Sequence, residues 1–254
     1  MTVADGNGAQ GTDGAGRTRQ ETAGKPRAKS EQTRELILET AMRLFEDRGY
    51  DKTTMRAIAK EAGVSVGNAY YYFGSKEHLI QGFYDGMSRD HTQVARAALT
   101  GTTDFGERLH TAFTTWLRCA APYHEFAAQF FRNAADPDSP LSPFSEESHP
   151  ARSLSVALYR DVLMGSDLGP KIDEELADLL PEILWLHQMG IVLYWVFDRT
   201  PECERTQQFV DRCTPMVARL VSLSRYRIFR PVVRDAKDLI RDFIVPAVAR
   251  APKP

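Results

Sequence analysis

A single glycine between two short apolar helix patterns constrains the fold of this 254-residue chain more than any other feature. Ala59 and Ala62 precede Gly63, and Val64 and Ala69 follow it. Small side chains let two short helices cross closely, and glycine allows the sharp turn between them because it has no Cβ to clash at positive φ. The pattern predicts a helix–turn–helix unit, whose second helix enters the major groove of DNA with its N-terminal end.

Side chains suited to DNA surround this turn. Asn68 can donate and accept hydrogen bonds on a base edge, with adenine as the favoured partner, and Gly67 lets the backbone approach the duplex. Ser65 can cap the second helix and meet a phosphate, and Lys76 would hold a phosphate as a point charge. For Arg56, a base contact and a solvated side chain are equally compatible with the sequence. The predicted DNA contacts are Thr54, Arg56, Ser65, Val66, Gly67, Asn68, Tyr70, Tyr72 and Lys76.

Helical periodicity continues on both sides of the unit. Apolar residues over 37–45 recur at i, i+4, i+7 and i+8, which predicts a helix that ends at Gly49. Beyond residue 80 the chain alternates helix patterns with glycine and proline breaks, and a long apolar helix with Pro181 at its start or kink reaches Phe197. No alternating apolar and polar run lies between hairpin turns, so the predicted fold class is all-α.

Composition narrows the classes of protein. With 32 Lys and Arg against 34 Asp and Glu, the formal net charge is −2, so affinity for DNA must come from where charges are placed. The predicted recognition helix has no acid, and a few phosphate contacts predict binding that weakens as salt rises. Three cysteines without metal spacing indicate reduced thiols in a cytoplasmic protein, with no metal or cofactor. No apolar run approaches the roughly 18 residues of a membrane span.

Residues 1–29 differ from the rest of the chain. They hold six of the 17 glycines and no leucine, isoleucine or aromatic residue, so they cannot bury enough apolar surface to offset the entropy of ordering. We expect a disordered tail with five basic and three acidic residues. That net positive charge suits a solvated tail, which we favour, and also a basic arm that reaches DNA.

The segment from Arg34 to Ile80 resembles the tetracycline repressor (TetR) family. The shared elements are an amphipathic first helix ending at Gly49-Tyr50, then Thr53-Thr54, Ile58-Ala59, Ala62-Gly63-Val64-Ser65, Gly67, Tyr70, Tyr72-Phe73 and Ser75-Lys76-Glu77. The resemblance implies a three-helix DNA-binding head over residues 30–80 and a helical ligand-binding and dimerisation body over residues 81–254. It also implies a homodimer that leaves a palindromic operator when a small molecule binds. Ala69 and Val66 depart from the family, which usually has a larger aliphatic residue and a polar or proline residue there.

Two C-terminal helices are suited to association. From Phe209 to Leu223 apolar residues step by 4, 3, 4 and 3, which is a heptad-like seam, and residues 184–197 are apolar nearly all round. The family resemblance implies that such helices form a four-helix bundle between subunits, whereas an intramolecular core would show the same pattern. The predicted dimer contacts are Gly190, Tyr194, Phe209, Cys213, Met216, Leu220 and Leu223.

Aromatic residues of the body suit a cavity for a hydrophobic or planar effector, although each also suits an ordinary core. His110 and His187 are the candidate polar groups of that cavity. The predicted ligand contacts are Phe113, Trp116, Tyr123, Phe126, Phe130, Tyr159, Trp185, His187 and Met189.

An enzyme is not predicted. His124-Glu125 begins a string like the HExxH zinc motif, but Ala128 occupies the position of the second histidine. The alternative to a ligand-responsive repressor is an activator or DNA-organising protein that binds DNA without a ligand. An apolar cavity in the body would favour the sensor, and a solid body would favour the constitutive binder.

Overall fold

The computed structural model describes residues 24–136 and 138–245, and this part of the chain consists of helices and connections without a strand. The predicted all-α fold class is therefore confirmed. The helices are α1 (Gly24–Arg48), α2 (Met55–Glu61), α3 (Val66–Tyr72), α4 (Lys76–Ala98), α5 (Phe105–Ala120), α6 (His124–Ala134), α7 (His149–Met164), α8 (Glu174–Phe197), α9 (Glu204–Leu223) and α10 (Arg230–Leu239), and a π-helical turn, Ile240–Ile244, extends α10.

The start of α1 differs from the sequence prediction, and the structure decides between the two predicted positions of Pro181, at the start of the long apolar helix or inside it. Helix α1 begins at Gly24, inside the predicted tail, because the Lys, Arg and Ala residues that follow favour helix and extend the pattern upstream. Helix α8 begins at Glu174 and passes through Pro181, since the Asp173 carboxylate caps it by accepting a hydrogen bond from the Leu176 amide at 3.2 Å. Residues 1–23, which make up most of the predicted tail, lie outside the described residues.

Helices α1 to α4 form a head around one apolar core. Ile37 and Phe45 of α1 pack with Ile58 of α2 and Ala69 of α3, and all four are buried. Phe130 of α6 is buried in the same cluster. Head and body are therefore joined by side-chain packing as well as by the chain.

The body has its own core between α5, α7, α8 and α9. Leu109, Phe113, Leu158 and Leu184 are among its buried residues. Helix α4 belongs to both units, because its first turns enter the head core and Ala95, near its end, lies in the body core. Helix α4 therefore connects the two cores directly.

Helix α8 is long and apolar enough, by length and composition alone, to cross a membrane. This differs from the expectation that no stretch of the chain meets that test. In the structure α8 packs against α6, α7 and α9, as the central helix of a helical body does. Leu193, Tyr194 and Phe197 of α8 remain exposed.

Candidate DNA-binding surface

The turn between α2 and α3 has the geometry that the sequence predicts. Gly63 adopts φ +68°, and its amide donates to the Lys60 carbonyl at 3.2 Å. The next amide, of Val64, donates to the Ala59 carbonyl at 3.0 Å. These two bonds form a Schellman motif, which ends α2 and satisfies its last carbonyls. The helix–turn–helix unit is thus confirmed, with Ala59 and Ala62 buried at the helix contact.

Gly63→Ala is expected to destabilise the fold by about 1–2 kcal/mol, because a Cβ at positive φ crowds the neighbouring carbonyl oxygen. A Cβ built at Gly63 has open space around it, so the cost comes from the backbone alone. Urea unfolding followed by circular dichroism measures the change. Gly101→Ala is the control, since that position has equal space and no positive φ. Equal stabilities of the two variants would contradict the proposed role of the left-handed turn.

Helix α3 presents a fixed, solvent-facing surface. The Ser65 hydroxyl accepts a hydrogen bond from the Asn68 amide at 3.1 Å, and the Thr54 hydroxyl caps α2 by accepting from the Ala57 amide at 3.2 Å. Ala69 faces inward and anchors the helix. The predicted contacts that lie exposed together are Thr54, Arg56, Ser65, Val66, Gly67, Asn68 and Tyr70.

Two predicted DNA contacts are less open than the sequence suggests. The Tyr72 hydroxyl lies 3.2 Å from the Ser30 hydroxyl of α1, and the Lys76 ammonium donates to the Tyr50 carbonyl at 2.8 Å. Both side chains are half-buried. Their lengths let them reach protein partners that no local pattern in the sequence identifies.

Tyr71 is absent from the sequence-based set, although 81% of it is exposed. It lies three residues after Asn68 and four after Gly67, so all three share one face of α3. This spacing is the sequence signal from which Tyr71 could have been predicted as a DNA contact. Its ring stands edge-on to Tyr72, with 5.2 Å between centroids.

Tyr50 connects the end of α1 to the start of α4. Its hydroxyl donates to Glu77 at 2.7 Å. Burial raises the pKa of Tyr50, and the hydrogen bond to the Glu77 carboxylate raises it further. The hydroxyl therefore stays protonated and remains a donor at neutral pH.

The aromatic residues predicted to bind a ligand are divided between two cores. Phe130 is buried in the head core and Tyr123 packs against it. The Phe126 side chain lies outside the described residues. His187 is half-buried against the Phe113 ring at 5.3 Å, and burial lowers its pKa. The others, Phe113, Trp116, Tyr159 and Trp185, lie in the body core with Met189 at its margin.

Three buried side-chain polar atoms of the body have no hydrogen-bond partner among the described residues: the Tyr159 hydroxyl, the Glu182 Oε2 and the Gln188 Oε1. Glu182 is half-buried, whereas Tyr159 and Gln188 are almost fully buried and lie on α7 and α8, which pack together. Burial raises the pKa of Tyr159 well above its ordinary value, so its hydroxyl stays neutral. An unsatisfied buried polar group costs about 1–3 kcal/mol, so a bound partner would stabilise this region. Gln188 was missed because a lone glutamine in an apolar helix has no sequence signal.

The outer faces of α8 and α9 form an apolar groove of about 360 Å³, which we call the α8–α9 groove. The Tyr194 and Phe209 rings stack in its wall, with 5.2 Å between centroids. The groove also places His187, predicted as a ligand contact, next to predicted dimer residues. It is lined by His187, Gly190, Ile191, Leu193, Tyr194, Phe197 and Phe209.

Most of the predicted seam faces solvent, but Cys213 does not. Cys213 is buried, and its thiol lies 3.6 Å from the His187 Nε2 atom. Cys213 lies at the boundary between the exposed seam and the buried side of α9. The packing of α9 on α5 turns its side chain inward. The exposed members are Phe209, Met216, Leu220 and Leu223.

A helix–turn–helix head on an all-helical body defines a DNA-binding regulator of the bacterial type. Residues 37–82 match the family model for bacterial regulatory proteins of the tetR family. Residues 108–239 match the model for the tetracyclin repressor-like C-terminal domain. The chain belongs to the TetR family of transcriptional regulators.

Individual relatives are similar mainly in the head. The HTH-type transcriptional regulator TtgR of Pseudomonas putida is 36% identical over 74 residues, which span 29% of this chain and about a third (35%) of TtgR. A putative TetR-family regulator from Syntrophomonas wolfei has a similar fold, with a TM-score of 0.60 at 16% identity, over 74% of this chain and 95% of that one. The regulator FadR of Bacillus subtilis, solved with stearoyl-CoA, has a TM-score of 0.55 at 17% identity over 70% of this chain and 95% of its own.

Proposed function

We propose that this chain is a homodimeric repressor that binds a palindromic operator through α3 and leaves it when a small molecule binds the body. The observation that supports DNA binding best is the exposed face of α3, which combines a capped start, a glycine, an amide and aromatic hydroxyls. Asn68 is the proposed base-reading residue, and Val66 is the proposed contact with a thymine methyl. Tyr70, Tyr71 and the flanking polar residues supply contacts with the phosphate backbone of the DNA.

Gly67 is the most informative residue of this face. Glycine has a lower helix propensity than alanine, and a Cβ built at Gly67, the second residue of α3, meets nothing within 4 Å. The fold of a single chain therefore has no need for glycine at this position. A close approach of the DNA backbone explains why glycine occupies this position.

Gly67→Ala is expected to separate folding from function. The variant should unfold at higher urea concentration than the wild type, because helix propensity improves. Its affinity for the operator should fall roughly tenfold, which corresponds to about 1.4 kcal/mol. Gly101→Ala is the control with equal free space and no place on the DNA face. Unchanged operator affinity would contradict a close approach at Gly67.

The α8–α9 groove is the proposed dimer contact. Gly190 lies in the last third of α8, is exposed, and has nothing within 4 Å of a built Cβ, so it leaves room for a helix from a second chain. Exposed Leu193 and Phe197 extend the predicted dimer set. Association here would fix the two α3 helices at a spacing that matches one turn of DNA, about 34–36 Å.

The body is the proposed effector site. The partnerless Tyr159 hydroxyl and Gln188 Oε1 call for a molecule with polar groups as well as apolar surface. The acyl-CoA complex of FadR, which shares the fold, supports a ligand-binding role for the body and does not identify this chain's ligand.

A second candidate is a regulator that binds DNA without an effector. It is favoured by the close packing of the aromatic residues predicted as ligand contacts, since Phe113 and Tyr159 are fully buried. A compound screen that monitors both melting temperature and DNA release separates the two functions. Compounds that raise Tm and release DNA support the repressor.

Selection of genomic DNA fragments by the purified chain tests the proposal directly. A palindromic consensus is the expected result. Fragments with no shared sequence would overturn sequence-specific regulation. An affinity for DNA that does not change with salt concentration would overturn the expected phosphate contacts.

A further inference from the structure

Lys76, the proposed phosphate contact, is oriented by Tyr50. Its ammonium donates to the Tyr50 carbonyl at 2.8 Å and lies 4.1 Å from the centroid of the Tyr50 ring. A carbonyl and an aromatic face do not neutralise the charge, and an ammonium has three N–H donors. The side chain is thus held in place while a donor stays available for a phosphate oxygen.

Lys76 needs such support because of its position. It is the first residue of α4, where the helix dipole disfavours a cation. A free lysine side chain also loses about 2 kcal/mol of rotamer entropy when a ligand fixes it. Tyr50 offsets the first cost and removes part of the second before DNA arrives.

Tyr50 is itself fixed from both sides. Its hydroxyl donates to Glu77 at 2.7 Å, and its ring packs on Phe45 with 5.1 Å between centroids. The third contact comes from the body, since Phe130 of α6 stands edge-on to Tyr50 at 6.3 Å and to Phe45 at 6.1 Å. Phe130 is almost fully buried, so it cannot move without displacing these rings.

Helix α6 is attached at its start to α8. The His124 Nε2 atom lies 2.8 Å from the Trp195 carbonyl oxygen, and the two rings meet edge-on at 4.8 Å. Phe131 packs on Phe197 with 6.0 Å between centroids. Contacts therefore run without a break from the α8–α9 groove through α6 to Tyr50.

We propose that Tyr50 is the positioning residue of the Lys76 phosphate contact, and that Phe130 lets the body adjust this contact through α6. The proposal rests on the proposed DNA-binding function and names its regulation. A displacement of α6 shifts Phe130, moves the Tyr50 ring and releases Lys76 from its bound orientation. The body then changes the number of phosphates that the dimer neutralises without altering the base-reading face of α3.

The slope of operator affinity against salt concentration tests the proposal, because it counts phosphate contacts. The full-length chain, bound to its selected operator fragment, is titrated between 50 and 200 mM KCl. Lys76→Ala removes two contacts per dimer, so the affinity loss over that range should shrink by about tenfold. Tyr50→Leu should reduce the slope similarly, the double variant should add little, and Tyr50→Phe, which keeps the ring, should retain the wild-type slope.

Phe130→Leu extends the test to the body and does not depend on Tyr50→Leu folding. It should reduce the slope, whereas Phe83→Leu should not. Phe83 is the matched control because it makes a different head–body ring contact, with Tyr123 at 4.5 Å. Circular dichroism checks that each variant is folded.

The contrary outcomes are distinct. A wild-type slope in folded Tyr50→Leu, beside a reduced slope in Lys76→Ala, overturns the positioning role of Tyr50, and a wild-type slope in folded Phe130→Leu overturns the adjustment by the body. A wild-type slope in Lys76→Ala overturns the phosphate contact and the inference with it, while sequence-specific binding stands. A wild-type chain that selects no DNA overturns the proposed function as well.

Discussion

Arg108→Met should destabilise the body by on the order of 4 kcal/mol, a large part of the 5–15 kcal/mol that holds a domain folded. The Arg108 guanidinium is buried and donates to four backbone carbonyls. These belong to Leu99 and Thr102, just after α4, and to Asp161 and Val162, near the end of α7. Carbonyls at a helix end lack intrahelical donors, and Arg108 supplies donors at two such ends, although the Asp161 carbonyl also accepts from the Gly165 amide at 3.0 Å.

Methionine keeps much of the apolar stem of arginine and loses all five N–H donors, so the variant isolates the hydrogen bonds. Urea unfolding measures the cost. Arg118→Met is the matched control, because Arg118 lies on the same helix α5 and is exposed; it should change stability by less than about 0.5 kcal/mol. Similar stabilities of the two variants would show that the buried guanidinium is not needed.

The sequence could not indicate this role. Arg108 is one of 32 basic residues, and charged side chains are mostly exposed. Gly165 can be recognised as a helix stop, but the structure adds a second reason for it, since a Cβ there would collide with the Arg108 guanidinium. Such a reason depends on residues more than fifty positions apart, which no local pattern connects.

Local features, by contrast, were predictable. The α2–α3 turn follows from Gly63 and its small neighbours, and the start of α3 follows from Ser65, because caps and turns depend on residues adjacent in the chain. Long-range packing decides the rest. Phe130 has the same apolar spacing as its neighbours, yet only the approach of α6 to α1 places it in the head core.

The seam of α9 shows the same limit. At about 100° per residue, Cys213 lies at the border between the exposed line of Leu220 and the inner line of Val210, so the heptad pattern alone cannot assign its side. The packing of α9 on α5 turns it inward.

Lys76 is a third residue whose environment the sequence could not predict, since its contact with Tyr50 links residues 26 positions apart.

Leu220→Arg is expected to abolish the proposed dimer and, with it, tight operator binding. Leu220 lies on the exposed face of α9 and is 61% exposed in the single chain, so the substitution leaves the fold of one subunit intact. In a dimer that buries this face, each new guanidinium would be desolvated against the apolar seam. The α8–α9 groove would then stay open to solvent.

Loss of the second subunit removes the bivalent contact with the two half-sites, which contributes about 10²- to 10⁴-fold to affinity. Light scattering coupled to size-exclusion chromatography gives the molar mass, and fluorescence anisotropy with the selected operator gives the affinity. Met164→Arg is the control, because Met164 is 58% exposed, lies at the end of α7 and receives the same charge. We expect that control to remain dimeric with wild-type affinity. A dimeric Leu220→Arg variant that binds the operator normally would place the subunit contact elsewhere, and the apolar groove beside Gly190 would then require a different partner.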